Sequence, residues 1–184
     1  VNLVGRVVPD FDENNISEDV VDLGGEIILS CDFNVSPMMW IICQRVGGDQ
    51  LHAFDEIFMK ETHTDEACSE LLRRYPNREI KAYPDPTGNA RKTSAGGITD
   101  HGILRNRGIW VYPNKSPYGQ TDKRNAVNAM VLDAEGTRRF FIHPRCKQTI
   151  KSLRNLTFKE GTNMPDKDSG WDHGWDALSY LVLG

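Results

Sequence analysis

Residues 26–59 read EIILSCDFNVSPMMWIICQRVGGDQLHAFDEIFM. Two apolar runs, EIILSCDFN (26–34) and PMMWIICQRV (37–46), are separated by a tight Asn34-Val35-Ser36 connection, and Gly47-Gly48 then turns the chain into QLHAFDEIFM (50–59). Strands joined by links this short run antiparallel, so the segment predicts a three-stranded meander. One residue is out of character. Asp32 interrupts an otherwise apolar strand, and a carboxylate there is costly unless it is paired, hydrogen-bonded or bound to a metal. Taken alone, an Asp at a strand end is equally well explained as a turn cap.

Downstream, Ala67, Leu71 and Leu72 form an apolar stripe at helical spacing, with Thr62 or Thr64 as the cap and Tyr75-Pro76-Asn77 as the stop. REIKAYPD (78–85) follows as a fourth strand. Its strand–helix–strand link to the meander implies a parallel neighbour. The remaining pattern predicts a helix over 99–108, a strand over 109–113, a helix over 121–136 and a short strand over 138–144. After these come a helix over 145–155, a polar hairpin or loop over 156–169 turning at Gly161, and a closing helix in WDHGWDALSYLVLG (171–184). The order describes an α/β domain: a central mixed sheet, three antiparallel strands and then parallel ones, flanked by helices.

With 184 residues, 39% hydrophobic and 26% charged, one globular domain is expected. Residues 1–25, broken by Pro9, Asn14-Asn15 and Gly24-Gly25, are expected to be an acidic lead-in or linker remnant, and 26–184 the domain proper. The chain starts at Val1 rather than Met, which suggests a piece of a longer protein. No apolar run approaches 18 residues and no signal pattern opens the chain, so neither membrane insertion nor export is indicated. Cys31, Cys43, Cys68 and Cys146 form no closely spaced pairs, which argues against structural zinc.

The net charge of −4 argues at first against a nucleic-acid partner. Residues 1–26, however, hold seven acids and one base, a net −6, leaving 27–184 with 19 acids, 21 bases and a net +2. Bases cluster as Arg73-Arg74, Arg91-Lys92, Lys123-Arg124 and Arg138-Arg139. Such pairs are usually solvated surface; Arg91, Lys92, Lys123 and Arg124 are the candidates for contacting DNA phosphates.

Asp85 repeats the pattern of Asp32: a strand that ends in Asp, followed by the sharp turn Pro86-Thr87-Gly88. A third acid, Asp176, lies one turn into the closing helix, with His173 three residues earlier on the same face and Asp172 in the first turn. Two strand-end carboxylates and one on a facing helix make an all-oxygen donor set of the kind that hard ions such as Mg²⁺ or Mn²⁺ prefer. A pair of such ions can clamp the attacking and leaving oxygens of a phosphodiester.

SCDFNVSPM, AYPDPTG and DHGWDALSY, in this order and spacing, resemble the nuclease domain of phage large terminase subunits, a family within the RNase H-like and RuvC-like folds. The resemblance runs from about Glu26 to the C-terminus, and its most specific part is the last motif. It implies Asp32, Asp85 and Asp176 as catalytic, metal-binding acids, with Asp32 bridging two Mg²⁺ or Mn²⁺ ions. His173, Asp172 and Glu56 would lie just outside the ligands. It also implies cleavage of concatemeric double-stranded DNA in the host cell cytoplasm, transiently at the procapsid. The partners it implies are an ATPase domain of the same full-length protein, the phage portal and the small terminase subunit. The ATPase loop GxxxxGK[ST] is missing from this sequence. A Holliday-junction resolvase or RNase H-type nuclease of the same fold, or a non-catalytic DNA or portal docking module, are the alternatives.

Overall fold

The computed structural model describes residues 5–89, 97–113 and 118–184. The meander forms as expected: β1 (Ile27–Asp32), β2 (Met38–Val46) and β3 (Gln50–Met59) pair antiparallel in sequence. Helix α1 (Thr64–Arg74) crosses over to β4 (Ile80–Pro84), which lies parallel to β1. Helix α2 (Asp100–Asn106) leads to β5 (Trp110–Val111), parallel to β4, and α3 (Gln120–Val131) leads to β6 (Phe140–Ile142), parallel to β3. Helices α4 (Lys147–Asn155) and α5 (Asp172–Leu183) complete the chain. The sheet order is β5-β4-β1-β2-β3-β6, so β1 and β2 are its centre.

Strand parity separates the core into two layers. Ile27, Leu29 and Cys31 of β1 face the layer built with Ala67, Leu71 and Leu104 of α1 and α2. Ile28 faces the other way, into the layer of Val127, Trp175, Ala177 and Leu178 from α3 and α5. Ser30 and Asp32 share that parity, and the Ser30 hydroxyl donates to the Ala177 carbonyl of α5. The same alternation on β4 buries Ile80 and Ala82 in the first layer and turns Tyr83 towards the second.

Residues 5–25 correct the expected lead-in. Val7, Val8, Phe11 and Val20 are buried; Val7 N–H donates to Leu156 O at 2.9 Å, and Asn15 Nδ2 bonds both Val131 O and Phe140 O. The segment therefore belongs to the folded body. Its apolar residues have neither helical nor strand spacing because the chain is held there by irregular contacts.

Three boundaries also differ. Helix α3 ends at Val131, short of Gly136, because the Asp133 carboxylate captures the Glu135 and Thr137 amides in a local turn. The cap of α1 is His63, with no side-chain bond; Thr62 donates to Glu66 and Thr64 to Asp100 instead. Helix α4 starts at Lys147, because Cys146 N bonds His143 O in a preceding turn. Residues 156–169 do form a hairpin, bridged between Phe158 and Pro165, with Gly161 at φ +71°. No described helix is long and apolar enough to cross a membrane.

Candidate active site

Because β1 and β4 are parallel neighbours, their C-terminal ends lie side by side. The ladder runs to the last residue: Cys31 pairs Pro84, and Asp85 N donates to Cys31 O at 2.9 Å. Asp32 and Asp85 thus leave the sheet side by side at the C-terminal ends of these strands, and Asp32 meets α5. The Asp85 turn is held from behind. Its carboxylate accepts Thr87 N at 2.9 Å, and its backbone carbonyl lies 2.9 Å from His101 Nε2. Gly88 packs so close to the Phe33 ring that a Cβ there would sit 2.5 Å from it.

Helix α5 supplies the rest. Its N-terminal turn is anchored on α4: Ser152 Oγ accepts Trp175 N at 2.9 Å and donates to the Trp171 carbonyl. Gly174 permits the close crossing, since a Cβ there would meet Ser152 Cβ at 2.8 Å. From this turn His173 Nδ1 reaches Asp32 Oδ2 at 2.8 Å, while Nε2 faces Asn34 Nδ2 at 3.4 Å. The Asp32 hydrogen bond raises the His173 pKa, against burial, and Asp172 Oδ1 lies 3.8 Å from Nε2. Asp172 is 6% exposed and Asp176 4% exposed.

The acids sense one another. Burial raises the Asp32 pKa; the His173 bond opposes this, and the charges of Asp176 and Asp85 raise it further. Burial also pushes the Tyr180 hydroxyl well up, with the charges of Asp176, Asp85, Asp32 and Asp172 adding to it. Tyr180 thus feels the charge of all four acids, which the sequence does not announce because its phenol reads as ordinary helix packing.

A hard divalent cation suits this donor set. All four acids offer oxygen, their charges repel, and Asp172 Oδ1 is buried without a hydrogen-bond partner. Yet among the described residues no three such groups close on one ion position. Positive charge comes from lysines instead. Lys123 Nζ of α3 pairs with Asp176 Oδ1, and Lys167 Nζ lies 3.1 Å from Asp176 Oδ2.

Several expected site residues fall elsewhere. Lys123, expected to contact DNA, is 4% exposed and committed to Asp176; its tail crosses from α3 beneath α5 instead of reaching solvent. Arg124 packs its guanidinium on the Phe158 ring at 5.6 Å. Arg91 and Lys92 lie outside the described residues. Glu56 does not join the acids: its oxygens accept Gln148 N at 2.7 Å and Thr149 N at 2.9 Å, capping α4 from β3. Two further base pairs are spent on ion pairs, Arg74 with Asp55 and Glu70, and Arg138 and Arg139 with Asp12 and Asp133. A cavity of about 260 Å³ opens beside His173, lined in part by Met39, Phe58, Lys60, Gln148 and Trp171.

No family model matches the sequence, and no curated protein is found similar to it. Among solved structures, the chain is similar to the nuclease domain of the phage P22 large terminase, at 16% identity and a TM-score of 0.66, covering 96% of this chain and 90% of that one. It is also similar to the large-terminase nuclease domain of bacteriophage SPP1 with bound Mn, at 18% identity, TM-score 0.57 and 98% coverage of both chains. The large-terminase nuclease of thermophilic phage G20c with bound magnesium matches at 12% identity and TM-score 0.57, over 89% of this chain and 83% of that one. The shared property is the fold: this chain has the RNase H-like architecture of phage large-terminase nuclease domains.

Proposed function

We propose that the chain is the nuclease domain of a viral genome-packaging terminase, a metal-dependent endodeoxyribonuclease that hydrolyses phosphodiesters in concatemeric double-stranded DNA. The observation that carries this reading is the pairing of the adjacent strand ends that bear Asp32 and Asp85, together with the 2.8 Å contact that ties Asp32 to His173 in the α5 turn between Asp172 and Asp176. Neighbours of the same fold are nuclease domains, one described with Mn and one with magnesium.

Asp32, Asp85 and Asp176 would hold two Mg²⁺ or Mn²⁺ ions. When bound, such ions acidify a water and stabilise the departing oxygen of a phosphodiester. The chain's own groups do the positioning. His173 holds Asp32 Oδ2 through its Nδ1, and Asn34 meets the ring at its other nitrogen. Lys60 and Trp171, at the cavity beside His173, would meet a phosphate and a sugar or base of the strand entering the site. In the full assembly the domain would work beside an ATPase domain of the same protein, the portal and the small terminase subunit, in the host cytoplasm.

Plasmid nicking under metal titration tests this. Activity is expected with Mn²⁺ or Mg²⁺, none with Ca²⁺ alone, and none after chelation. Full-rate cutting in chelator, or with stoichiometric zinc as the only metal, would overturn the reading.

A further inference from the structure

Lys123 is the least expected side chain in the molecule. A lysine is almost never fully buried unless paired, yet its ammonium lies inside the α3–α5 contact. Three groups surround it, all on α5: the Asp176 carboxylate, the Trp175 ring at 4.7 Å and the Tyr180 ring at 4.8 Å. Two aromatic faces and one carboxylate make a built cation site for the ammonium. Lys167, half exposed and from a different segment, takes the second Asp176 oxygen. Both oxygens of the helix-borne acid are therefore held by resident positive charge.

We propose that Lys123 is a positioning residue of this site, a built-in counter-charge that holds Asp176 in the metal-free chain and keeps its affinity for divalent ions low, with Lys167 as a weaker, solvent-screened second hold. The inference rests on the proposed function, since it takes Asp176 to be a metal ligand. Its physical basis is direct. A cation approaching Asp176 meets a carboxylate already neutralised, with a fixed ammonium beside it, so binding carries a Coulomb penalty that only the arrival of further anionic charge offsets. DNA phosphate supplies such charge. A protein with this arrangement loads its ions together with its substrate.

Calorimetry with Mn²⁺ alone on the full chain separates the outcomes. Wild type is expected to bind weakly, Lys123→Met at least about ten-fold more tightly, and Lys167→Met only about two- to five-fold more tightly. Added salt should erase the Lys167→Met difference and leave that of Lys123→Met. A second measurement needs no metal. Asp176→Asn should lower the melting temperature by stranding the ammonium, and adding Lys123→Met to it should recover much of the loss. Equal or weaker Mn²⁺ binding by Lys123→Met, or no recovery in the double variant, overturns the proposal while leaving the nuclease reading in place. Absence of Mn²⁺ binding in wild type and Lys123→Met alike overturns both.

Discussion

Asp32→Asn, Asp85→Asn and Asp176→Asn are each expected to abolish plasmid nicking, but their effects on stability should diverge. On sequence alone, neutralising any one acid of a repelling cluster would relieve strain, and the melting temperature would hold or rise. That argument survives at Asp32, whose carboxyl is already pushed towards its neutral form by burial and by neighbouring charges. At Asp176 it fails, because the carboxylate balances the buried Lys123. Breaking such a pair costs about 3–5 kcal/mol, so Asp176→Asn alone should melt clearly below wild type. Thermal unfolding of the three variants without metal checks the order. A level or raised midpoint for Asp176→Asn would show that Lys123 escapes to solvent. The acids were legible because each breaks an apolar pattern or ends a strand. Lys123 was not, since Lys123-Arg124 reads as one more exposed basic pair and only the α3–α5 crossing reveals which way the side chain points.

At the scale of elements, the site depends on a relay that touches none of its acids. Glu56 on β3 caps α4, and α4 in turn fixes α5 through Ser152 and the close approach at Gly174. Gly174→Ala would force a Cβ to within 3.2 Å of the Thr149 backbone and push α5 off its seat. Overpacking of this kind costs about 1–3 kcal/mol. Because His173 and Asp176 flank the same turn, a shift of roughly 1 Å there should cut nicking by about 100-fold. Near-normal nicking by a destabilised Gly174→Ala would show that the turn need not be held so tightly. Glu56→Gln, which weakens the charge at the α4 N-terminus, should act in the same direction and less strongly. The central strands could be read as continuous apolar runs, since both of their faces are buried, and most helices from a one-sided apolar stripe. The roles of Glu56 and of the α1 cap could not, because both are decided by partners distant in sequence.

At the scale of the whole molecule, the sequence misplaced one boundary. Residues 1–25 are acidic and aperiodic, features that mark linkers, yet four apolar side chains within residues 5–25 are spent on the core. Val7, Val8, Phe11 and Val20 are all at or below 2% exposure, and Asn15 satisfies carbonyls at the ends of both α3 and β6. Burying side chains of this size contributes roughly 1.5–3 kcal/mol each. Four of them together are comparable to the roughly 5–15 kcal/mol by which a domain is stable at all. Deleting residues 1–25 would also expose the α3, α4 and β6 surface that residues 5–25 cover and leave the Val131 and Phe140 carbonyls without their Asn15 partner. A chain beginning at Glu26, the boundary that the composition suggests, is therefore expected to lack a cooperative thermal transition and to bind a hydrophobic dye. The parent chain should melt in one step. Cooperative unfolding of the truncated chain within a few degrees of the parent would show that these contacts are peripheral after all. The same comparison bears on the active site, because the lost segment packs on α3, the helix that carries Lys123. A truncated chain that kept its fold but bound Mn²⁺ more tightly would indicate that α3 had moved away from α5 and released Asp176.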